Sequence, residues 1–175
     1  MRRRTVLGSL LCLCLAGCGY RLLERPDAPA FAGADFEQVE IRMFENRSDQ
    51  AGIEGLFAVA LAEEFARRGD FEPVGAASGK QALILRGQIL EVDVRPVAYS
   101  SVGLALEERV VVVLDVEMVR GAGFESVWRN ESLELRVRFL ASSDNEVYEN
   151  QKQEALRRLA WGAAGRIHDE FLQSF

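Results

Sequence analysis

ALILRGQILEVDVR (residues 82–95), ALEERVVVVLDVEMV (105–119) and FESVWRNESLELRVRF (124–139) follow one another with only short breaks between them. Each is rich in β-branched or aromatic residues and alternates apolar with polar positions, the pattern of a strand buried on one face. In the third, Leu133, Leu135, Val137 and Phe139 alternate with Glu134, Arg136 and Arg138. In the first, Leu83, Leu85 and Ile89 share one phase while Leu90, Val92 and Val94 share the other. A phase change inside one strand predicts a bulge, placed near Gly87. Residues 96–103 (PVAYSSVG) read as the first turn and Gly121-Ala122-Gly123 as a tight second one. Three consecutive long strands with short turns make an antiparallel meander.

Working outward, residues 36–44 alternate with Val39, Ile41 and Met43 on the inner side, which predicts a half-buried strand. The polar run 45–49 (ENRSD) can supply a helix N-cap. From about 51 to 68, Ile53, Leu56, Phe57, Ala60, Leu61 and Phe65 recur at helical spacing. Arg67 and Arg68 suit the negative end of that helix, and Gly69 its stop. Residues 71–74 read as a short strand and 75–80 as a loop. At the other end, Ser143 and Glu146 have capping-box spacing. Leu156, Leu159, Ala160, Ala163, Ile167 and Phe171 then form a buried stripe, with Arg157, Arg158, Arg166, Asp169 and Glu170 on the solvated face. The expected fold is α+β: a mainly antiparallel sheet with two amphipathic helices packed on one face, in the order β-α-β-β-β-β-α. The other face of the sheet is left to be explained.

The 175 residues are 49% hydrophobic and 27% charged, enough for one real core and too polar for a multi-pass membrane protein. Setting aside the first 17 residues leaves 18 basic against 27 acidic side chains, a body at −9. So acidic a body does not suit a nucleic-acid backbone, and no nucleic-acid partner is expected.

Residues 1–18 (MRRRTVLGSLLCLCLAGC) have a positive start at Arg2, Arg3 and Arg4 and an apolar run, 6–15, too short to span a bilayer. Leu15-Ala16-Gly17-Cys18 matches the bacterial lipobox. The expectation is a signal peptide over 1–17, a lipidated segment over 18–35 and a single domain over 36–175. Cys18 would carry the diacylglycerol and an N-acyl chain, anchoring the chain to a membrane without a spanning helix. Cys12 and Cys14 leave with the signal, so the mature chain has no second cysteine for a disulfide. Gly19 follows Cys18 where aspartate would favour the inner membrane, so delivery to the outer membrane is expected.

Catalytic signatures are missing. His168 is the lone histidine, and zinc ligation needs a cluster of cysteine and histidine that this chain lacks. No Gly-x-Ser-x-Gly elbow occurs, and the loop GAASGK at 75–80 is one residue short of a phosphate loop. Neighbouring acids such as Glu63-Glu64 and Glu107-Glu108 point apart on a helix or strand. Neither a catalytic residue, a metal nor a cofactor beyond the acyl chains on Cys18 is expected. The reading is a binding or assembly module.

Several pieces in order carry a resemblance: Cys18-Gly19-Tyr20-Arg21-Leu22, Val39-Glu40-Ile41, Phe44-Glu45-Asn46-Arg47, a helix ending in Arg67-Arg68-Gly69, and Leu85-Arg86-Gly87-Gln88-Ile89. Tyr99-Ser100-Ser101 before Leu104-Ala105-Leu106-Glu107, and Ser143-Asp144-Asn145-Glu146 opening a terminal helix, complete it. The chain resembles the LPS-assembly lipoprotein family, LptE, over essentially the whole mature length. The resemblance implies an outer-membrane lipoprotein that plugs and helps assemble a large β-barrel translocon, LptD, within whose lumen it sits facing the periplasm, and that binds lipopolysaccharide. It implies lipopolysaccharide contacts in the loop between the central strands and before the last helix. The matching stretches here are Tyr99, Ser100 and Ser101, and Ser142-Ser143. The nearest cations are Arg95, Arg109, Arg136 and Arg138, and arginine matches phosphate with a rigid fork of donors. The competing reading is a scaffold module of another envelope or secretion complex, since Phe44-Glu45-Asn46-Arg47 also resembles the start of domains in curli-secretion and Tol-type proteins.

Overall fold

The computed structural model describes residues 36–76, 82–121 and 125–175. They form β1 (Gln38–Ile41), β2 (Glu45–Asn46), α1 (Ile53–Arg68), β3 (Glu72–Val74), β4 (Ala82–Tyr99), β5 (Ala105–Arg120), β6 (Glu125–Leu140) and α2 (Asn145–Gln173). One sheet runs β3-β1-β4-β5-β6, and β2 pairs with β4 as well. The expected meander is present, with β4–β5 and β5–β6 antiparallel. The flank is parallel: β1 pairs in parallel with both β3 and β4, and β2 with β4. Parallel neighbours need a crossover, which α1 provides between β1 and β3.

Both helices cover the same face of this sheet. Ile53, Phe57, Ala60, Leu61 and Phe65 of α1 and Leu156, Leu159, Ala160, Ala163, Ile167 and Phe171 of α2 are buried in one cluster with Val39, Leu83, Leu85, Ile89, Val110, Val112, Leu114, Val116, Met118 and Leu133. The α+β layout expected from the periodicity is therefore the observed one. α1 ends as read, with Gly69 at φ +75° donating its N–H to the Phe65 carbonyl oxygen.

Details differ. β1 stops at Ile41, and Met43 is 65% exposed while Phe44 is buried and stacks on Phe57. The chain leaves the sheet after Arg42, whose N–H still reaches the Leu85 carbonyl, and returns one step out of phase at β2. The polar run 45–49 does not cap α1, because the N-cap is Gly52 without a side-chain bond. Instead Asn46 ties the turn together. Its amide donates to the Gln50 carbonyl and Glu54, and its oxygen accepts from the N–H and hydroxyl of Ser48. α2 is capped by Asp144, not Ser143, with Oδ1 accepting from the N–H groups of Glu146 and Val147.

The bulge in β4 lies at Leu90, where the register slips between Ile89 and Glu91. β4 also runs on to Tyr99, through Pro96 and further slips on either side of Ala98, so the turn is shorter than 96–103. The Gly121–Gly123 connection and the 75–80 loop fall largely outside the described residues. Gly87 serves close approach, not a bulge. A Cβ there would lie 2.7 Å from the Asp115 carbonyl oxygen and 3.1 Å from the Phe44 ring. The strand backbone and the packed ring cannot both yield, so Gly87→Ala is expected to lower stability by about 1–3 kcal/mol in urea denaturation.

A charged cluster joins the two helices. Glu64, nearly buried on α1, accepts hydrogen bonds from Arg67 and Arg68, and Arg68 reaches Asp169 of α2 at 2.8 Å. The Arg67 hydrogen bonds hold the Glu64 carboxyl below its usual range. His168 is fully buried beside it, edge-on to Phe65, with Nε2 3.0 Å from Asp70 and Nδ1 3.8 Å from Asp169. Burial, aided by Arg68, pushes the imidazole below its ordinary value near 6.5, against the opposing pull of Asp70, Asp169 and Glu64. The unfolded chain therefore takes up a proton that the native state refuses. Stability is expected to fall as pH drops below about 6.5, by up to about 1.4 kcal/mol per unit until the folded value is passed. Urea midpoints between pH 7.5 and 5 test this, and His168→Gln should flatten the slope.

Candidate ligand-binding face

The strand register places the sequence-predicted cations on the sheet face that the helices do not cover. Arg95 of β4 lies directly opposite Arg109 of β5, and Arg109 directly opposite Arg138 of β6. Strands stand about 4.8 Å apart, so three arginines line up within about 10 Å. Arg136 joins them two residues along β6, opposite Val111. Like charges directly across a ladder destabilise a sheet, so such a row stands against the local energetics.

Carboxylates relieve it only in part. Asp93 pairs with Arg95, Glu107 lies 3.7 Å from Arg138, and Glu134 bonds Arg136 at 2.6 Å. The Arg136 hydrogen bond holds the exposed Glu134 carboxyl below its usual range, with Arg109 adding to the effect. Arg109, at the centre of the row, has no carboxylate partner among the described residues, and its Nε is shut off from solvent without a hydrogen bond. The flanking arginines are open: Arg95, Arg136 and Arg138 keep more than half of their side-chain surface. An anion bridging the row would relieve the repulsion and supply Arg109 with a counter-charge.

Further along β4 and β5, the same face balances itself. A basin of about 470 Å³ is lined by Glu45, Arg86, Gln88, Asp115, Glu117 and Arg129. There Arg86 pairs with Glu117 and Arg129 with Asp115, both at 2.8 Å.

At the opposite end is the β4–β5 tip. Ser100 builds it: its carbonyl accepts from Gly103, its N–H donates to the Leu104 carbonyl, and its Oγ accepts from the Leu104 N–H. Gly103 sits at φ +81°, where glycine is favoured. Ser100 is thus a turn residue, while Tyr99 and Ser101 are exposed. The sequence reading missed the apolar character of this end. Val102 is 78% exposed, Leu104 63%, Leu106 51% and Leu140 65%. Unburied apolar side chains concentrated at one end mark a contact surface. The signal was present in Val102-Gly103-Leu104-Ala105-Leu106, where apolar residues persist through the turn. The tip and the arginine row do not form one closed pocket, since Arg95 and Tyr99 are about 13 Å apart along the strand. Cys18 lies outside the described residues.

The fold is similar to those of solved bacterial lipoproteins. The chain is similar to the rare lipoprotein B of Shewanella oneidensis, with a TM-score of 0.52 at 14% identity, covering 77% of this chain and 95% of that one. It is similar to the uncharacterized lipoprotein B of Nitrosomonas europaea, with a TM-score of 0.51 at 17% identity, covering 75% and 79%. A minor lipoprotein of Acinetobacter baumannii matches with a TM-score of 0.52 at 12% identity, covering 79% and 94%. No curated protein matches the chain significantly in sequence. The chain belongs to the LptE family, described as lipopolysaccharide-assembly, whose model matches residues 36–171.

Proposed function

We propose that the protein is an outer-membrane lipoprotein, anchored through acyl chains on Cys18, that plugs and helps assemble an LptD-like β-barrel and contacts lipopolysaccharide during its export. The family match over 36–171 carries this reading. The role is structural and assembling, not enzymatic. Its ligand end is the row Arg95, Arg109, Arg138 with Arg136 alongside, where phosphate groups replace the counter-charge that Arg109 lacks. Tyr99 and Ser101 at the exposed tip stand ready for polar contacts, with the neighbouring leucines for acyl chains.

The first test is an affinity pull-down of the tagged, lipidated protein from detergent-solubilised outer membrane. A stoichiometric large β-barrel supports the reading. A ring of the protein itself, or a different envelope partner, returns it to the scaffold-module alternative. Cys18→Ala should be lost from the outer-membrane fraction, and normal fractionation would sink the anchor. Arg109→Glu with Arg138→Glu should weaken lipopolysaccharide binding by about ten-fold or more, a step of about 1.4 kcal/mol, without lowering the melting temperature, since the change also relieves the repulsion along the row. Equal binding would remove the arginine row from the ligand site.

A further inference from the structure

Among the described residues β6 ends the sheet, pairing only with β5. The Ala141 N–H bonds back to Leu106 of the neighbouring strand, so the odd-numbered residues of this stretch turn their backbone toward β5. Glu134, Arg136 and Arg138 therefore turn theirs outward. Two of these carbonyls are already taken from α2: Arg158 donates to the Arg138 oxygen at 3.1 Å and Arg166 to the Glu134 oxygen at 3.2 Å. The spacing matches, since eight helical residues rise about 12 Å and four strand residues about 13 Å. Midway between the two arginines stands Gly162, where an added Cβ would touch nothing within 4 Å. Opposite it, the backbone N–H and C=O of Arg136 have no partner among the described residues. Around this gap lies a groove of about 410 Å³ with Leu135, Val137 and Leu159 in its lining and Glu134, Arg136, Arg158 and Arg166 at its rim. Glu134 pairs with Arg136 at 2.6 Å and Glu170 with Arg166 at 2.7 Å. Arg158 has no carboxylate partner among the described residues.

The geometry points to this groove as a docking channel for an extended, acidic segment of a partner protein. Strand addition supplies the missing partner for the Arg136 backbone, and a carboxylate on the segment meets Arg158, with Arg166 and its partner Glu170 beside it. Charge complementarity selects the occupant: Glu134 and Glu170 balance Arg136 and Arg166, and Arg158 leaves the groove one positive charge in excess although the body of the chain carries −9. The inference uses the backbone of Arg136, whereas the lipid reading uses its side chain on the opposite sheet face, and Arg158 and Arg166 take no part in that reading.

The test uses the full chain and a fluorescein-labelled heptapeptide alternating valine and glutamate, with the valine–lysine peptide as control. Anisotropy should show saturable binding of the acidic peptide alone, and hydrogen exchange at the Arg136 amide should slow on binding. Gly162→Leu fills the gap while improving helix propensity, so it should fold at least as well and bind about ten-fold more weakly. Arg158→Gln with Arg166→Gln should show a similar loss. Equal binding of both peptides, unchanged Arg136 exchange, or undiminished binding by Gly162→Leu would overturn the proposal. Protection of the Arg136 amide by phosphatidylglycerol vesicles but not by the peptide would assign the groove to a lipid headgroup and overturn it too.

Discussion

Leu159→Asp is expected to lower stability by about 4 kcal/mol or more, enough to unfold a domain of ordinary stability at 37 °C. Leu159 is 1% exposed in the middle of the α2 stripe, between Leu156 and Ala163. The substitution removes an apolar side chain from the common core and leaves a carboxylate with no water. Whether it stays charged or takes a proton, the cost is large. Urea denaturation followed by far-UV circular dichroism measures it, and a midpoint equal to wild type would refute the packing of α2 on the sheet.

Phe171→Ala should cost about 3–5 kcal/mol. Phe171 closes the far end of the same stripe, with ring centroids 5.7 Å from Phe71, 6.4 Å from Trp128 and 5.2 Å from Phe175. It thus joins α2, β6, the segment after α1 and the C-terminus. Alanine keeps the helix but leaves a cavity bordered by three aromatic rings, which rigid neighbours cannot collapse into. The urea midpoint gives the loss, and a shift in Trp128 fluorescence reports the opened site. A change below about 1 kcal/mol would mean that the aromatic cluster tolerates the void.

Much of this architecture was legible because burial imposes a period. Ile53 to Phe65 and Leu156 to Phe171 recur at helical spacing because one side of each helix meets the sheet, and all but the half-buried Leu56 are buried as read. The three long strands alternate because one face is covered. What local pattern could not show depends on pairing. Met43 continues the alternation of β1, but the chain has already left the sheet, and Phe44 takes the buried place. Pro96 looks like a turn signal, yet it sits in β4 beside a register slip that tolerates its missing N–H. Arg95, Arg109 and Arg138 were each identifiable as cations, but their alignment is a fact of register between segments far apart in sequence. Arg158 and Arg166 read as solvated charges, and only the neighbouring strand edge turns them into donors.

The position of β1 has a consequence for how the molecule assembles. β1 is made first, yet it lies between β3 and β4, with Gln38 aligned to Ala82, 44 positions later in the chain. β4, β5 and β6 need only neighbouring hairpins to find one another, whereas β1 must wait until a long loop has closed. Loop-closure entropy therefore favours a sheet that zips from its C-terminal half toward its N-terminal half. Until β1 docks, the edge of β4 that receives it stands open, and that interval is the stage at which a nascent chain is most exposed to wrong strand partners.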